Sequence, residues 1–189
     1  MISVVGIDPS SRKLAAVYGV VGREPYIEYT VEKLPQDKPT ACLMAYEWMQ
    51  RLVVGQQATG NTVYAAIELP VLGRGGPGST IPQAQINGAL LAGAQCAGAT
   101  IILVNNARAK KEVVGKGNAS KDDIRRWVKD AWPSLYSEIK NDQDLCDSAM
   151  IYQYGRKTVE LRDRIARRKT IERATVLQRR RNARRKAAT

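Results

Sequence analysis

Apolar residues fall into short runs early in the chain and into helical stripes later. Ile2–Ile7 is apolar and stops at Asp8-Pro9-Ser10-Ser11. Leu14–Val21 and Tyr26–Leu34 are similar runs, joined through Gly22-Arg23-Glu24-Pro25. Short runs bounded by turn residues predict strands, and the tight connection predicts an antiparallel three-stranded meander. In Ala41–Val54 the residues Ala45, Trp48, Met49 and Leu52 recur at spacings of three and four, the period of one helix face. Thr62–Ile67 is nearly all apolar, as a strand covered on both faces requires. Pro70–Pro82, rich in Gly and Pro, reads as a loop, Ala84–Ala97 as a closely packed helix crowded with Ala and Gly, and Thr100–Val104 as another strand. Asn105–Ser120 is a polar connection with room for one helical turn. Ser120 with Asp123 three positions on forms a capping arrangement for a helix that runs to about Trp132 and stops at Pro133. A last helix starts near Asp142 and runs toward a basic tail. Three antiparallel strands followed by helix–strand–helix–strand–helix predict an α/β fold, one mixed five-stranded sheet flanked by helices.

Composition narrows the chemistry. The 189 residues, 44% of them hydrophobic, suffice for one domain with a real core plus an appendage. No apolar run approaches the ~18–20 residues of a membrane span. No basic segment followed by an apolar stretch opens the chain, so no secretory signal is expected. Cys42, Cys96 and Cys146 are odd in number and far apart, which gives neither a metal-binding spacing nor a disulfide framework and suits a reducing, cytoplasmic interior. There is no histidine, which removes Ser-His-Asp and Cys-His catalysis and ordinary zinc sites.

Charge divides the chain. Residues 1–155 carry 16 Lys+Arg against 15 Asp+Glu, whereas residues 156–189 carry 14 against 3. A nearly neutral domain of 1–155 therefore precedes a basic C-terminal extension of 156–189. Such asymmetry points to a polyanion, and nucleic acid is favoured because no membrane signature accompanies it. The alternative is a solvated tail that serves solubility alone.

The acids carry the chemistry. Asp8 and Glu68 each end an apolar strand, and functional groups gather at the carboxyl ends of strands in open α/β sheets. If the two strands are parallel neighbours, both carboxylates reach one rim, where burial and mutual repulsion demand a cation. Asp144 and Asp147 stand three apart on a helix flanked by Leu145, Cys146, Ala149, Met150, Ile151 and Tyr152, so they share one face of a buried helix. Asp142 and Asp144 also lie in that helix's first turn, where a capping role is the competing explanation for Asp144. Carboxylates without histidine or thiolate suit hard cations, Mg2+ or Mn2+, and four of them have room for two ions ~3.5–4 Å apart, the arrangement used for in-line displacement at phosphate.

At this point the residues carry a family resemblance. Gly6-Ile7-Asp8-Pro9-Ser10-Ser11-Arg12, then Ala66-Ile67-Glu68, then Val113-Val114-Gly115-Lys116-Gly117-Asn118-Ala119-Ser120-Lys121, then Asp144-Leu145-Cys146-Asp147-Ser148-Ala149 resemble, in order, the motifs of the RuvC family of Holliday-junction resolvases. The resemblance covers about residues 1–155. It implies an RNase H-like fold, a homodimer and Mg2+-dependent cleavage of four-way DNA junctions. It assigns the metal-binding, catalytic acids to Asp8, Glu68, Asp144 and Asp147, adds Lys121 near the cleaved phosphate, and places Lys110 near DNA. The chain departs from the family in reading Asp-Pro-Ser where Asp-Pro-Gly is usual, and it has no Phe in the loop after Glu68, where bacterial members often carry a stacking aromatic. With its extension beyond residue 156 it looks more like a bacteriophage member.

Further basic residues are candidates for DNA contact. Lys116 and Lys121 flank a Gly117-Asn118 turn that allows close approach to a phosphate, and Arg74 lies in a glycine-rich loop. In the extension, Arg179, Arg180, Arg181, Arg184 and Arg185 form dense runs; its first part is expected to be helical and its end to order only on DNA. Two rival functions use the same residues: an RNase H-like nuclease acting on flaps, forks or RNA–DNA hybrids, and a non-catalytic DNA-binding protein. A sugar-kinase-like ATPase also opens with a Gly-Ile-Asp strand, but 189 residues are too few for its two lobes.

Overall fold

The computed structural model describes residues 1–23, 26–70 and 77–187, the side chains of 77, 79 and 176–187 excepted. Five strands, β1 (Ile2–Pro9), β2 (Lys13–Val20), β3 (Ile27–Lys33), β4 (Thr62–Glu68) and β5 (Thr100–Val104), form one sheet in the order β3-β2-β1-β4-β5. β1 to β3 pair antiparallel as the expected meander, while β1, β4 and β5 run parallel. The helices are α1 (Lys38–Gln57), α2 (Pro77–Cys96), α3 (Asn106–Val113), α4 (Lys121–Ala131), α5 (Pro133–Ile139) and α6 (Gln143–Ala187). The chain falls into two compact units, Met1–Arg156 and Lys157–Thr189. Among the described residues no helix is long and apolar enough to cross a membrane.

The alternation of strand residues decides what each face does. On one face Val5, Ile7, Val63, Ala65 and Ile67 pack with Ala45, Trp48 and Met49 of α1 and Ile86 and Leu90 of α2 in the main core. Each Val, Ile, Leu or Met side chain among them contributes about 1.5–3 kcal/mol when fully buried, and each Ala less. The other face, bearing Val4, Gly6 and Ala66, takes the first turns of α6. A Cβ on Gly6 would stand 2.1 Å from the Tyr152 backbone nitrogen, and one on Gly155 would stand 2.8 Å from Ala66 Cβ and 2.9 Å from Val4 Cγ1. The helix backbone therefore rests on the strand backbone. Tyr152 is fully buried, and its ring tilts against Trp132 with centroids 5.7 Å apart.

Several helices differ in extent from the sequence reading, α1 running three residues beyond Ala41–Val54 at each end. The glycine- and proline-rich stretch is not loop to Pro82: α2 begins at Pro77 and contains Pro82. Pro77 at the first helical position loses no intrahelical bond, because the first N–H groups have no partner there, whereas Pro82, at the sixth, removes one, which the remaining turns of the 20-residue helix outweigh. Asn105–Ser120 holds two turns of helix, not one, because Asn105 caps α3 by accepting from the Arg108 N–H and Arg108 pairs with Glu112 at 2.8 Å. Pro133 ends α4 but also starts α5, where its fixed φ suits the first helical position. The capping box of Ser120 and Asp123 is present as read. Residues 24, 25 and 71–76, which include part of the first turn and Arg74, lie outside the described residues.

In the second unit the helix continues to Ala187. Arg167–Asp163 at 2.9 Å and Arg168–Glu172 at 3.0 Å are helical i,i+4 pairs, each exposed and of small individual weight.

Gly6→Ala should destabilise the protein by roughly 3 kcal/mol or more, since the new methyl meets backbone that cannot rotate away. Urea unfolding measures this, and a variant within ~0.5 kcal/mol of wild type would mean that α6 does not rest on β1.

Candidate active site

Asp8 ends β1 and Glu68 ends β4, and the parallel register Gly6↔Ala66, Ile7↔Ile67 brings the two acids to the same level. Both follow the alternation of Gly6 and Ala66, so both face α6. Asp144 and Asp147 are in the first two turns of α6. All four carboxylates are only partly exposed. Asp142 settles the capping question for Asp144: its Oδ1 accepts from the Asp144 N–H at 3.1 Å and the Leu145 N–H at 3.3 Å. The cap is Asp142, and Asp144 is left for other work.

Ser148 fixes the helix to the sheet beneath these acids. It is fully buried, its Oγ lies 2.7 Å from the Asp144 carbonyl and 3.0 Å from the Ala15 carbonyl, and it accepts from the Asp8 N–H at 3.3 Å. One hydroxyl thus touches β1, β2 and α6.

Electrostatics shows that the acids act on one another. Burial, then repulsion from Glu68, Asp147 and Asp144, holds the Asp8 carboxyl well above its ordinary range, and Lys13 offsets only part of this. Burial also raises Glu68, against a lowering hydrogen bond from Asn106; Asp147 raises it further and Lys110 lowers it. Asp147 is raised by burial, which a Gln143 hydrogen bond and the charges of Lys110 and Lys121 only partly oppose. The neighbouring Cys146 thiol is pushed up to about 11 by burial, so it stays neutral and is no nucleophile.

Three of the four acids have separate side-chain partners. Asn106 Nδ2 donates to Glu68 Oε1 at 2.5 Å, Gln143 Nε2 donates to Asp147 Oδ1 at 3.1 Å, and Lys13 Nζ lies 2.5 Å from Asp144 Oδ2. Among the described residues no three Asp, Glu, His or Cys side chains close on a common point as a ready-made metal cage. Like charges at a shared rim spread apart and take such donors when no cation joins them. The donor set still fits a hard divalent cation. It is all oxygen, it is short of positive charge, and the buried Asn106 Oδ1 and Gln143 Oε1 beside it have no hydrogen-bond partner.

Of the basic residues expected near the acids, Lys110 and Lys121 are within electrostatic reach of Asp147. Lys116 is exposed, and the acid it acts on is Asp123. Arg74, and the side chains of Arg179, Arg180, Arg181, Arg184 and Arg185, lie outside the described residues. Sequence reasoning missed Lys13, Asn106, Gln143 and Ser148. Lys13 was within reach of the pattern: Gly6↔Val17 and Asp8↔Ala15 put Val17, Ala15 and, two residues earlier, Lys13 on the acid-bearing face.

No protein-family model and no curated protein matches the sequence. Among solved structures the chain is similar to RuvC of Thermus thermophilus, at 17% identity over 81% of this chain and 92% of that one, with a TM-score of 0.61. It is similar at 17% identity to the same protein in complex with a Holliday junction substrate, over 82% and 92% of the two chains, with a TM-score of 0.63. The yeast mitochondrial Holliday junction resolvase Ydc2 follows at 14% identity, over 81% and 77%, with a TM-score of 0.56. At these identities the likeness defines the architecture: the chain has the RuvC-like, RNase H-like fold, a mixed five-stranded sheet flanked by helices.

The raised carboxylates carry a sign. A carboxylate held above its unfolded value gives most stability below that value, and the stability is lost as pH rises through the folded one. Asp8→Asn, which removes the charge, should therefore stabilise the metal-free protein at pH 7 by roughly 0.5–2 kcal/mol. Thermal unfolding in chelator should show this gap narrowing as pH falls toward 3.8, the ordinary Asp value. An equally large gap at low pH would mean that Asp8 is not held above its usual range.

Proposed function

We propose that the chain is a divalent-metal-dependent endonuclease that resolves four-way DNA junctions by paired phosphodiester hydrolysis. One observation carries this: on a RuvC-like fold, Asp8 of β1 lies within electrostatic reach of Glu68 of β4 and of Asp144 and Asp147 of α6, at the carboxyl ends of two parallel strands. These four would hold Mg2+, with Mn2+ able to replace it. When bound, such ions supply the positive charge that activates water and stabilises the leaving 3′ oxygen.

The chain's own residues do the rest. Asn106 and Gln143 hold Glu68 and Asp147 in orientation. Lys110 and Lys121, the cations acting on Asp147, offer charge to the scissile phosphate. Lys116 and Arg74 contact backbone phosphates. Arg179, Arg180, Arg181, Arg184 and Arg185 supply sequence-independent affinity. Two copies of the chain, each cutting one strand, give the paired nicks of a homodimer. The residues beyond 156, which exceed the bacterial pattern, favour a bacteriophage-type member acting inside a prokaryotic cell.

The test is a cleavage assay with Mg2+ and Mn2+ on four-way junction, flap, fork and linear duplex DNA in parallel. Symmetric paired nicks in the junction are expected. Glu68→Gln and Asp147→Asn should each lower the rate by roughly a hundredfold or more while DNA is still bound. Cutting of flaps alone would favour the flap-nuclease reading. Binding without cutting by wild type, or full-rate cutting by either variant, would sink the site assignment.

Truncation after Glu160 should weaken DNA binding and flatten the slope of log affinity against log salt by roughly three units or more, because each lost phosphate contact removes ~0.9. An unchanged slope would exclude the extension from binding.

A further inference from the structure

Lys13 has two acidic partners of different kinds. Its ammonium lies 2.8 Å from Asp142 Oδ1 and 2.5 Å from Asp144 Oδ2. Burial pulls the ammonium's pKa down, but the two carboxylates outweigh this and hold it above the ordinary lysine value. Asp142 is anchored, because the same Oδ1 caps α6 through the Asp144 and Leu145 N–H groups. Asp144 has no such duty for its carboxylate. Of the four acids it is the one whose described partner is a cation, whereas Glu68 and Asp147 are held by neutral amides that leave each carboxylate a full charge to offer.

We propose that Lys13 competes with the metal for Asp144, holding that carboxylate in the metal-free protein and withdrawing to Asp142 when an ion binds. This rests on the carboxylate reading above and adds the residue that sets when the fourth acid becomes available. A lysine suits this role, because its charge sits at the end of a flexible four-carbon stem, free to keep one partner while leaving another. With Asp142 remaining, the displaced ammonium is not stranded without a counter-charge. The contact is partly solvated, at 26% exposure for Lys13 and 37% for Asp144, so the competition is modest.

The test is direct Mn2+ binding to the full-length protein at fixed ionic strength, followed by the electron paramagnetic resonance signal of free Mn2+. Thermal unfolding in chelator confirms that each variant is folded. Lys13→Met, which keeps the apolar stem, should bind Mn2+ roughly two- to fivefold more tightly than wild type. Asp142→Asn still caps the helix but leaves Lys13 to Asp144 alone, and should bind Mn2+ more weakly. Either variant by itself could act through its field on the other acids, so the deciding comparison is made in an Asp144→Asn background. There Lys13→Met should tighten binding distinctly less than in the wild-type background, leaving only its field on the other acids. Equal tightening with and without Asp144 would overturn the competition, and so would unchanged or weaker binding by Lys13→Met in the wild-type background. Wild-type protein with no saturable Mn2+ site, or one that Asp8→Asn leaves intact, would remove the carboxylate reading and this proposal with it. Wild type that binds while Lys13→Met fails to tighten removes the lysine proposal alone.

Discussion

The contact between the backbone of α6 and the backbone of β1 at Gly6 is what the site depends on. With no Cβ at that position, the helix comes close enough for Ser148 Oγ to reach both the Asp8 N–H and the Ala15 carbonyl. A helix held off by one methyl group would lose both hydrogen bonds. It would also carry Asp144 and Asp147 away from Asp8 and Glu68. The acids at the strand ends come from local sequence, but their meeting with the acids of the helix comes from a glycine two residues before Asp8. Stability and site geometry are therefore set by the same few atoms.

That closeness has an electrostatic cost, which the fold distributes. Burial, and then repulsion between neighbouring carboxylates, raises Asp8, Glu68 and Asp147. The protein meets this with donors drawn from separate elements: Asn106 from α3, Gln143 from α6 and Lys13 from β2. None of these donors cancels the excess, since Asp8, Glu68 and Asp147 remain above their ordinary values. A region whose neighbours all agreed with it would show no such strain, and local conflicts of this kind concentrate where function is selected.

How far the sequence revealed this depends on the range of the interaction concerned. Asp8 and Glu68 were legible because an apolar run that ends in an acid is a signal contained in a few residues. The Ser120–Asp123 capping box was legible for the same reason. Asp144 stayed ambiguous because two acids share a first turn, and which of them caps is settled by backbone geometry, in favour of Asp142. Asn106 was not legible, because it meets its acid from a following helix, and Lys13 was legible only in part: alternation puts it on the acid-bearing face, but its meeting with α6 is tertiary. Pro77, Pro82 and Pro133 misled for a different reason. Proline is a strong interruption in general, yet Pro77 and Pro133 open their helices, where the missing N–H has no partner to lose, and α2 absorbs the one bond that Pro82 removes.

The division of charge along the chain then acquires a reason. The first 155 residues are close to neutral and gather their acids at one rim, whereas the last 34 carry most of the excess positive charge. Among the described residues, a phosphate approaching the rim alone meets net negative charge, with Lys13 already engaged and Lys110 and Lys121 acting near Asp147. Affinity for a polyanion therefore has to come from elsewhere in the chain, and the basic extension provides charge that does not depend on the state of the acids. At the rim itself the sign of the potential has to change before a phosphate can settle. Divalent cations do that, and on the proposed function they are needed first for the substrate to enter and only then for the chemistry.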